Sequence, residues 1–141
     1  MTKVLFLCTH NSARSQMGEA FLKKHAGDRF EIESAGLEKG TLNPYVVRAM
    51  AEVGIDISKN QTKDAFELLR AGRRFNIVVA VCSQEAAEKC PMYPGLSEKI
   101  RWPFEDPSSF KGSDEEIMAK VRVVRNQIET AVKEFVVSHP Q

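Results

Sequence analysis

The stretch KVLFLCTHNSARSQM, residues 3–17, carries the clearest fold signal in the chain. It opens with a continuous apolar run that ends at Cys8, and a run without polar alternation predicts a strand buried on both faces. A polar turn follows over residues 9–14. A helix is then predicted from Ser15, with Gly27 as its stop. A buried strand, a polar turn and a helix in this order are typical of an α/β fold.

The rest of the chain continues this alternation. Strands are predicted over residues 30–36, 76–82 and 99–104. Helices are predicted over residues 45–53 after Pro44, and up to Leu69 after a cap at Thr62 or Asp64. Residues 83–89 are rich in helix formers. This order predicts a single domain over residues 1–141, a three-layer αβα fold with a four-stranded parallel sheet and helices on both faces.

The last helix has the most regular pattern in the sequence. Ser113 and Glu116 form a capping box, which predicts where the helix begins. Apolar residues then recur in steps of three and four, which predicts one buried face. The residues of that face are Ile117, Val121, Val124, Ile128, Ala131 and Phe135.

Composition and charge exclude several classes of protein. The 141 residues carry a formal net charge of +1, which gives no reason to expect nucleic acid or an acidic membrane as a partner. No stretch approaches the ~18 apolar residues of a membrane span, and no signal peptide is expected, so the expected compartment is the cytoplasm. The three cysteines are too few, and odd in number, for a disulfide scaffold. Three arginines, Arg70, Arg73 and Arg74, mark either a solvated helix end or a docking patch.

Three chemically active side chains are predicted at one edge of the sheet. Cys8 ends the first strand, Cys82 ends the third, and Asp106 follows the fourth. Ligands of parallel sheets bind beyond the carboxyl ends of the strands, where these residues would meet. Purely structural roles remain open for two of these residues, because Cys82 could be an inert core thiol and Asp106 could cap a turn before Pro107.

The turn after Cys8 has the features of an oxyanion site. Its backbone N–H groups, together with the start of the following helix, can converge on an anion. Arg14 adds a planar fork suited to a tetrahedral oxyanion, and Ser15 can donate a hydrogen bond to the Cys8 thiolate. The result would be an activated nucleophile beneath a bound oxyanion. The predicted binding residues are Thr9, His10, Asn11, Ser12, Ala13, Arg14 and Ser15.

The segment CTHNSARS resembles the Cys-x5-Arg-Ser loop of the low-molecular-weight protein tyrosine phosphatase superfamily. The dipeptide Asp106–Pro107 matches the general acid of that superfamily. The segments VCSQEAAEKCPMYPG and RWPFEDP narrow the resemblance to the thioredoxin-coupled arsenate reductases, which share the fold and add a redox pair of cysteines. Seven residues, 83–89, separate Cys82 from Cys90, one more than in the usual family pattern.

The resemblance implies a relay of three cysteines that needs no obligatory cofactor. Cys8 attacks arsenate, Asp106 protonates a departing oxygen, and Cys82 then attacks Cys8 so that arsenite leaves. Cys90 resolves the first disulfide, and thioredoxin reduces the Cys82–Cys90 disulfide that remains. A continuous helix over residues 82–90 would separate the two Cα atoms by ~12 Å, whereas a disulfide needs ~4.4–6.8 Å. The segment is therefore expected to unwind or bend on oxidation.

The same resemblance implies a potassium site behind the oxyanion loop. A hard monovalent cation beside carboxylate and amide oxygens would stiffen the loop; alternatively, Asn11 only bonds the turn and the acidic residues are surface charges. The matching residues are Asn11, Glu19, Ser34 and Asp64. Zinc held by Cys8, His10, Cys82 and Cys90 is disfavoured, because no closely spaced cysteine pair is present.

Two rival functions are weighed against the reductase. A phosphatase would use Cys8 alone, but such enzymes carry tyrosine near the Asp-Pro loop, where this chain has Ser108 and Ser109. A redox sensor or oxyanion-binding regulator would use the thiols without multiple turnover. The prediction is a monomeric cytoplasmic arsenate reductase that also binds phosphate or sulfate as mimics and retains weak phosphatase activity.

Overall fold

The computed structural model describes residues 1–8, 13–37, 40–81 and 95–140. Its four strands pair in parallel in the order β2-β1-β3-β4, which confirms the predicted sheet. Strand β1 is therefore central, and its carboxyl end lies between the ends of β2 and β3. The strands are β1 (Thr2–Cys8), β2 (Phe30–Gly36), β3 (Ile77–Val81) and β4 (Glu98–Trp102).

Helices cover both faces of the sheet, as predicted. Alternate residues of β1 point into two separate apolar clusters, with Val4 and Phe6 in the larger and Leu5 and Leu7 in the smaller. Helices α1, α2 and α4 pack into the larger cluster, and α3 packs into the smaller one. No helix in the described part of the chain combines the length and apolar character needed to cross a membrane. The helices are α1 (Arg14–Ala26), α2 (Pro44–Glu52), α3 (Ala65–Arg70) and α4 (Asp114–Ser138).

Helix α1 approaches the sheet closely at Gly18. A Cβ atom at this position would lie 2.6 Å from Cδ1 of Phe6, well inside van der Waals contact. Phe6 itself is fully buried on β1. The absence of a side chain at Gly18 therefore lets α1 lie directly against the strand that ends at Cys8.

Side-chain caps define where three helices begin. Ser113 Oγ accepts a hydrogen bond from Glu116 N at 3.2 Å, which confirms the predicted start of α4. Asp64 Oδ1 accepts from Phe66 N at 2.7 Å, so Asp64, not Thr62, caps α3. Asn43 caps α2, a role that was not predicted from the sequence. These caps satisfy backbone N–H groups that have no partner inside the helix.

The buried face of α4 contains Met118, Arg125 and Val132 in addition to predicted residues, and it lacks Ala131. Val132 is fully buried, whereas Ala131 is only partly buried. Both positions fit a step of three or four residues after Ile128, and the larger side chain is the one that faces the core. Arg125 is also buried, and its Nη1 donates to Ala49 O at 3.0 Å and to Glu52 Oε1 at 2.9 Å. A polar anchor between α2 and α4 thus lies within an otherwise apolar face.

The predicted strands over residues 76–82 and 99–104 are found with slightly different limits. Strand β4 begins earlier and ends at Trp102, because the chain turns there and Phe104 N donates to Trp102 O at 3.0 Å. Strand β3 is described up to Val81. The predicted helix over residues 83–89 and the bend expected between Cys82 and Cys90 lie outside the described residues.

Candidate active site

Cys8 lies at the carboxyl edge of the sheet, at the end of its central strand. It pairs with Gly36 at the end of β2, and its carbonyl accepts a hydrogen bond from Leu37 N at 3.2 Å. On the other side, Leu7 pairs with Ala80, so β1 and β3 end at the same level. Cys8 is 3% exposed. The strand pairing therefore places the backbone of Cys8 between the ends of β2 and β3, at the edge where ligands of such sheets bind.

A buried hydroxyl contacts the Cys8 thiol. The Oγ atom of Ser15 lies 2.9 Å from Cys8 Sγ, and Ser15 is completely buried in the first turn of α1. When the cysteine is a thiolate it can only accept, so the hydroxyl donates to it. The structure thus brings together the two residues that the sequence predicted to share this bond.

Arg14 connects the start of α1 to the segment that follows β4. It is 5% exposed, its Nη1 donates to Phe104 O at 2.9 Å, and its Nη2 lies 3.7 Å from Asp106 Oδ2. Its Nε is buried and has no hydrogen-bond partner among the described residues. The contact with Phe104 could not be predicted from side-chain chemistry, because it uses a backbone carbonyl.

Helix α1 begins at Arg14, directly before Ser15. Ala13 precedes the helix with φ −145° and ψ −84°, and its side chain supplies no cap. The N-terminal end of a helix carries a partial positive charge, which favours an anion. The buried guanidinium of Arg14 adds a positive charge at this end of α1.

Asp106 lies in a more open setting than Cys8. Its Oδ1 accepts from Ser108 N at 3.0 Å, where it caps a short 3-10 turn, Pro107–Ser109. Its side chain is 34% exposed and its Oδ2 faces Arg14. The residue therefore has the capping role that the sequence left open, and it also lies beside the arginine of the predicted site.

Two of the predicted potassium ligands are in direct contact. The Ser34 hydroxyl donates to Glu19 Oε1, and both residues are buried. The Lys23 ammonium donates to Glu19 Oε2 at 2.7 Å, so this carboxylate already has a cationic partner. Asp64 pairs with Gly36, two residues beyond Ser34 on β2. The oxygen donors suit a hard cation, but the ion would have to share Glu19 with Lys23.

A polar cavity of about 300 Å³ lies beside this carboxylate. Among the described residues, no three His, Cys, Asp or Glu side chains cluster as metal ligands. Of the zinc set considered above, only Cys8 is described. The cavity is lined by Gln16, Glu19, Lys23, Asn60, Gln61 and Lys63.

The remaining predicted residues divide into two groups. Arg73, in the basic cluster, pairs with Glu33 on β2 and lies over the Phe75 ring, so it is bound within the fold and not left as a free patch. Outside the described residues lie Thr9, His10, Asn11, Ser12, Cys82 and Cys90. The structure thus brings together Cys8, Arg14, Ser15 and Asp106, the part of the predicted site to which the first chemical step is assigned in the prediction.

Comparison with known proteins gives a consistent result. The family model described as low molecular weight phosphotyrosine protein phosphatase matches residues 3–139. The arsenate reductase of Halalkalibacterium halodurans is 45% identical over 134 residues, which cover 94% of this chain and 93% of that protein. A solved arsenate reductase in the oxidized state has a TM-score of 0.80 at 27% identity, with 98% of each chain covered.

A thioredoxin-dependent arsenate reductase from Corynebacterium glutamicum has a TM-score of 0.59 at 27% identity. That likeness covers 94% of this chain and 62% of the other.

Proposed function

The chain belongs to the low molecular weight phosphotyrosine protein phosphatase family, and from this premise we propose that it reduces arsenate to arsenite through three cysteines. It is an arsenate reductase, the enzyme class of the curated relatives that match it over most of their length. We propose Cys8 as the nucleophile, Cys82 and Cys90 as the redox pair, and thioredoxin as the final reductant. The reaction takes place in one domain, residues 1–141.

The observation that carries the first step is the grouping of Cys8, Ser15 and Arg14. A buried thiol contacts a buried hydroxyl, and the buried guanidinium of Arg14 lies at the start of the same helix as that hydroxyl. A guanidinium and a helix N-terminus are groups that bind a tetrahedral oxyanion. Arsenate has the shape and charge that these donors suit, and phosphate and sulfate would compete for the same place.

The first chemical step forms a bond between sulfur and arsenic. The Cys8 thiolate attacks arsenic, and one arsenate oxygen leaves with a proton supplied by Asp106. Arg14 and the N–H groups at the start of α1 hold the remaining oxygens. Arsenic is still pentavalent at this stage, so the reduction itself requires a second thiol.

The second step transfers two electrons. The Cys82 thiolate attacks Cys8 Sγ, the sulfur–arsenic bond breaks, and its electron pair stays on arsenic, which leaves as trivalent arsenite. Cys90 then attacks Cys82, which frees Cys8 as a thiolate and leaves a Cys82–Cys90 disulfide. A thioredoxin dithiol takes over this disulfide and restores the reduced enzyme.

The strand register supports this sequence of attacks. Leu7 on β1 and Ala80 on β3 are register partners. Leu7 directly precedes Cys8 in the chain, and Ala80 lies two residues before Cys82. Val81, the last described residue of β3, directly precedes Cys82 in the chain. The thiol that follows β3 is therefore a suitable attacker for the thiol that ends β1. The thioredoxin-dependent relative from Corynebacterium glutamicum supports the choice of reductant.

Potassium is proposed as an auxiliary cation, not as a reactant. Glu19, Ser34 and Asp64 would hold it together with Asn11. Its role would be to stiffen the turn between Cys8 and Arg14, as the resemblance to the arsenate reductases implies. The protein is proposed to act as a cytoplasmic monomer.

The decisive experiment follows NADPH consumption in the presence of arsenate, thioredoxin and thioredoxin reductase. Wild type is compared with Cys8→Ser, Cys82→Ser and Cys90→Ser, and each variant is also assayed with p-nitrophenyl phosphate. The relay requires that all three variants lose multiple turnover with arsenate, and that only Cys8→Ser loses hydrolysis of the ester. Full arsenate turnover in Cys90→Ser would falsify the three-cysteine relay. Arsenate-dependent oxidation that stops after one turnover in wild type would favour a redox sensor.

A further inference from the structure

Asn43 joins helix α2 to the turn that carries Asp106. Its side chain is buried, and both ends of its amide are engaged. The carbonyl accepts from Tyr45 N at 2.9 Å and from Val46 N at 3.4 Å, which caps the helix. The amide NH2 donates to Ser108 Oγ at 3.2 Å. One residue thus fixes the start of α2 and contacts the loop beside the candidate site.

Ser108 carries this connection on to the carboxylate. Its backbone N–H donates to Asp106 Oδ1 at 3.0 Å, while its hydroxyl is the acceptor for Asn43. The neighbouring Ser109 hydroxyl donates to Asp106 O at 2.6 Å. A chain of hydrogen bonds therefore runs from the buried start of α2 to a side chain that is itself 34% exposed.

The two carboxylate oxygens of Asp106 consequently have different roles. Oδ1 accepts from the Ser108 N–H, so it is the less suitable oxygen to carry a proton. Oδ2 faces Arg14 Nη2 at 3.7 Å, on the side where the proposed oxyanion binds. In the proposed first step, Oδ2 is therefore the oxygen from which the proton would be transferred, because it does not accept from the Ser108 N–H.

We propose that Asn43 and Ser108 are positioning residues for proton transfer from Asp106. The inference rests on the proposed function, in which Asp106 supplies the proton for the first step. A general acid must lie within hydrogen-bond reach of the atom it protonates, and a displacement of about 1 Å can cost up to ~100-fold in rate. The Asn43–Ser108 bond provides this restraint, because the 3-10 turn itself is short and exposed at its surface.

The test measures single-turnover formation of arsenite by reduced enzyme in excess over arsenate, as a function of enzyme concentration. Ser108→Ala removes the acceptor and keeps the backbone N–H. Asn43→Ser removes the amide donor and keeps a residue that caps helices well. We expect each variant to lower the maximal rate about tenfold with little change in the apparent arsenate affinity. Ser108→Thr, which keeps the hydroxyl, should restore the rate.

A double-mutant cycle separates positioning from general stability. In an Asp106→Asn background, Ser108→Ala should have no further effect on the rate, because the group it positions is gone. Tyr45→Phe is the matched control, since Tyr45 lies on the same helix turn as Asn43 and its Oη donates at 2.7 Å to Asp114 Oδ1, on α4 and not on the 3-10 turn. It should leave the rate unchanged.

The outcomes distinguish this inference from the proposed function. If Asp106→Asn keeps the wild-type rate, the proposed role of Asp106 fails and the inference fails with it. If Asp106→Asn is slow but Ser108→Ala and Asn43→Ser are not, only the inference is overturned. Equal losses from Ser108→Ala in the presence and absence of Asp106 would also overturn it, because they would indicate a purely structural effect.

Discussion

The two halves of the candidate site are built in contrasting ways. Cys8 ends a central strand and Ser15 lies in the first turn of a helix that packs against it, and both are buried. Asp106 lies instead on a short 3-10 turn with a third of its side chain exposed. Sheet pairing and core packing restrain the proposed nucleophile, whereas a few hydrogen bonds restrain the proposed acid.

This difference teaches which contacts the site depends on. The nucleophile is placed by contacts that also stabilise the fold, so few single polar substitutions would displace it. The proposed acid depends on individual bonds, and Arg14, which directly precedes Ser15 on α1, reaches it with its guanidinium. Substitutions that break these contacts one at a time test each half separately.

Arg14→Lys should cause the largest loss. Lysine keeps the positive charge but lacks the planar fork, so it cannot donate to Phe104 O, face Asp106 and bind an oxyanion at the same time. We expect kcat/KM for arsenate to fall by about 100-fold, as for removal of a donor to a developing oxyanion. Steady-state kinetics with thioredoxin and its reductase measure the loss.

Arg29→Lys is the matched control for this substitution. Arg29 also donates to backbone carbonyls, those of Val136 and His139, but at the end of α4. It should leave kcat/KM unchanged. Similar kinetic losses in both variants would mean that Arg14 acts through the stability of the fold and not through the site.

The fold could be predicted almost completely because its signals are local. The apolar run before Cys8, the buried run at Ile77–Val81 and the Ser113 cap each specify an element, and the parallel order follows from their alternation. On α4, Val132 is buried where the pattern predicted Ala131, because two neighbouring positions satisfy the same period. Packing against the sheet decides between them.

The site could be predicted only in part, for a related reason. Cys8, Arg14 and Ser15 are close in sequence, so their spacing already indicates that they meet. The contacts of Asn43 with Ser108 and of Arg14 with Phe104 join residues that are 65 and 90 positions apart. Neither contact leaves a periodic or compositional trace, and the second uses a backbone carbonyl that any residue could supply.

Ser15→Ala tests the buried half alone. Loss of the hydroxyl removes one hydrogen bond to the Cys8 sulfur and leaves the strand pairing intact. We expect Cys8 to react with iodoacetamide about tenfold more slowly at neutral pH, the size of one hydrogen bond to a charged group. The measurement uses a Cys82→Ser, Cys90→Ser background, so that only Cys8 is alkylated. Ser138→Ala, at the end of α4, should react at the parent rate; an unchanged rate in Ser15→Ala would contradict the thiolate contact.

Glu52→Gln tests the support of α2 at the end opposite Asn43. Hydrogen bonds from Arg122, followed by those from Arg125, lower the pKa of Glu52 to about 2 from its ordinary value of 4.5. A carboxyl whose pKa is lower in the folded than in the unfolded state stabilises the fold at pH values above its unfolded-state pKa. This stabilisation is lost as the pH falls from 4.5 towards 2.

The variant should therefore melt below wild type at pH 6, and the difference should narrow towards pH 2. Thermal unfolding over this pH range measures it, with Glu134→Gln, a surface change on α4, as the control. A difference that stays constant with pH would rule out the charge of Glu52 as its cause. Single-turnover arsenite formation should be unaffected, because the proposed positioning bond lies at the Asn43 end of α2.

The smallest expected effect concerns the cation proposed behind the oxyanion loop. Lys23 donates to Glu19 Oε2, so its ammonium competes with potassium for the same carboxylate. Lys23→Gln should therefore strengthen potassium binding. Replacing NaCl by KCl at equal ionic strength should raise the melting temperature of this variant by roughly 3 °C, equivalent to about 1 kcal/mol of ligand stabilisation.

The control is Lys24→Gln, which changes the neighbouring exposed lysine. It should behave like wild type, whose melting temperature should shift less than that of Lys23→Gln. Identical melting temperatures of Lys23→Gln in the two salts would remove potassium from the site and leave Glu19, Ser34 and Lys23 as a purely internal network.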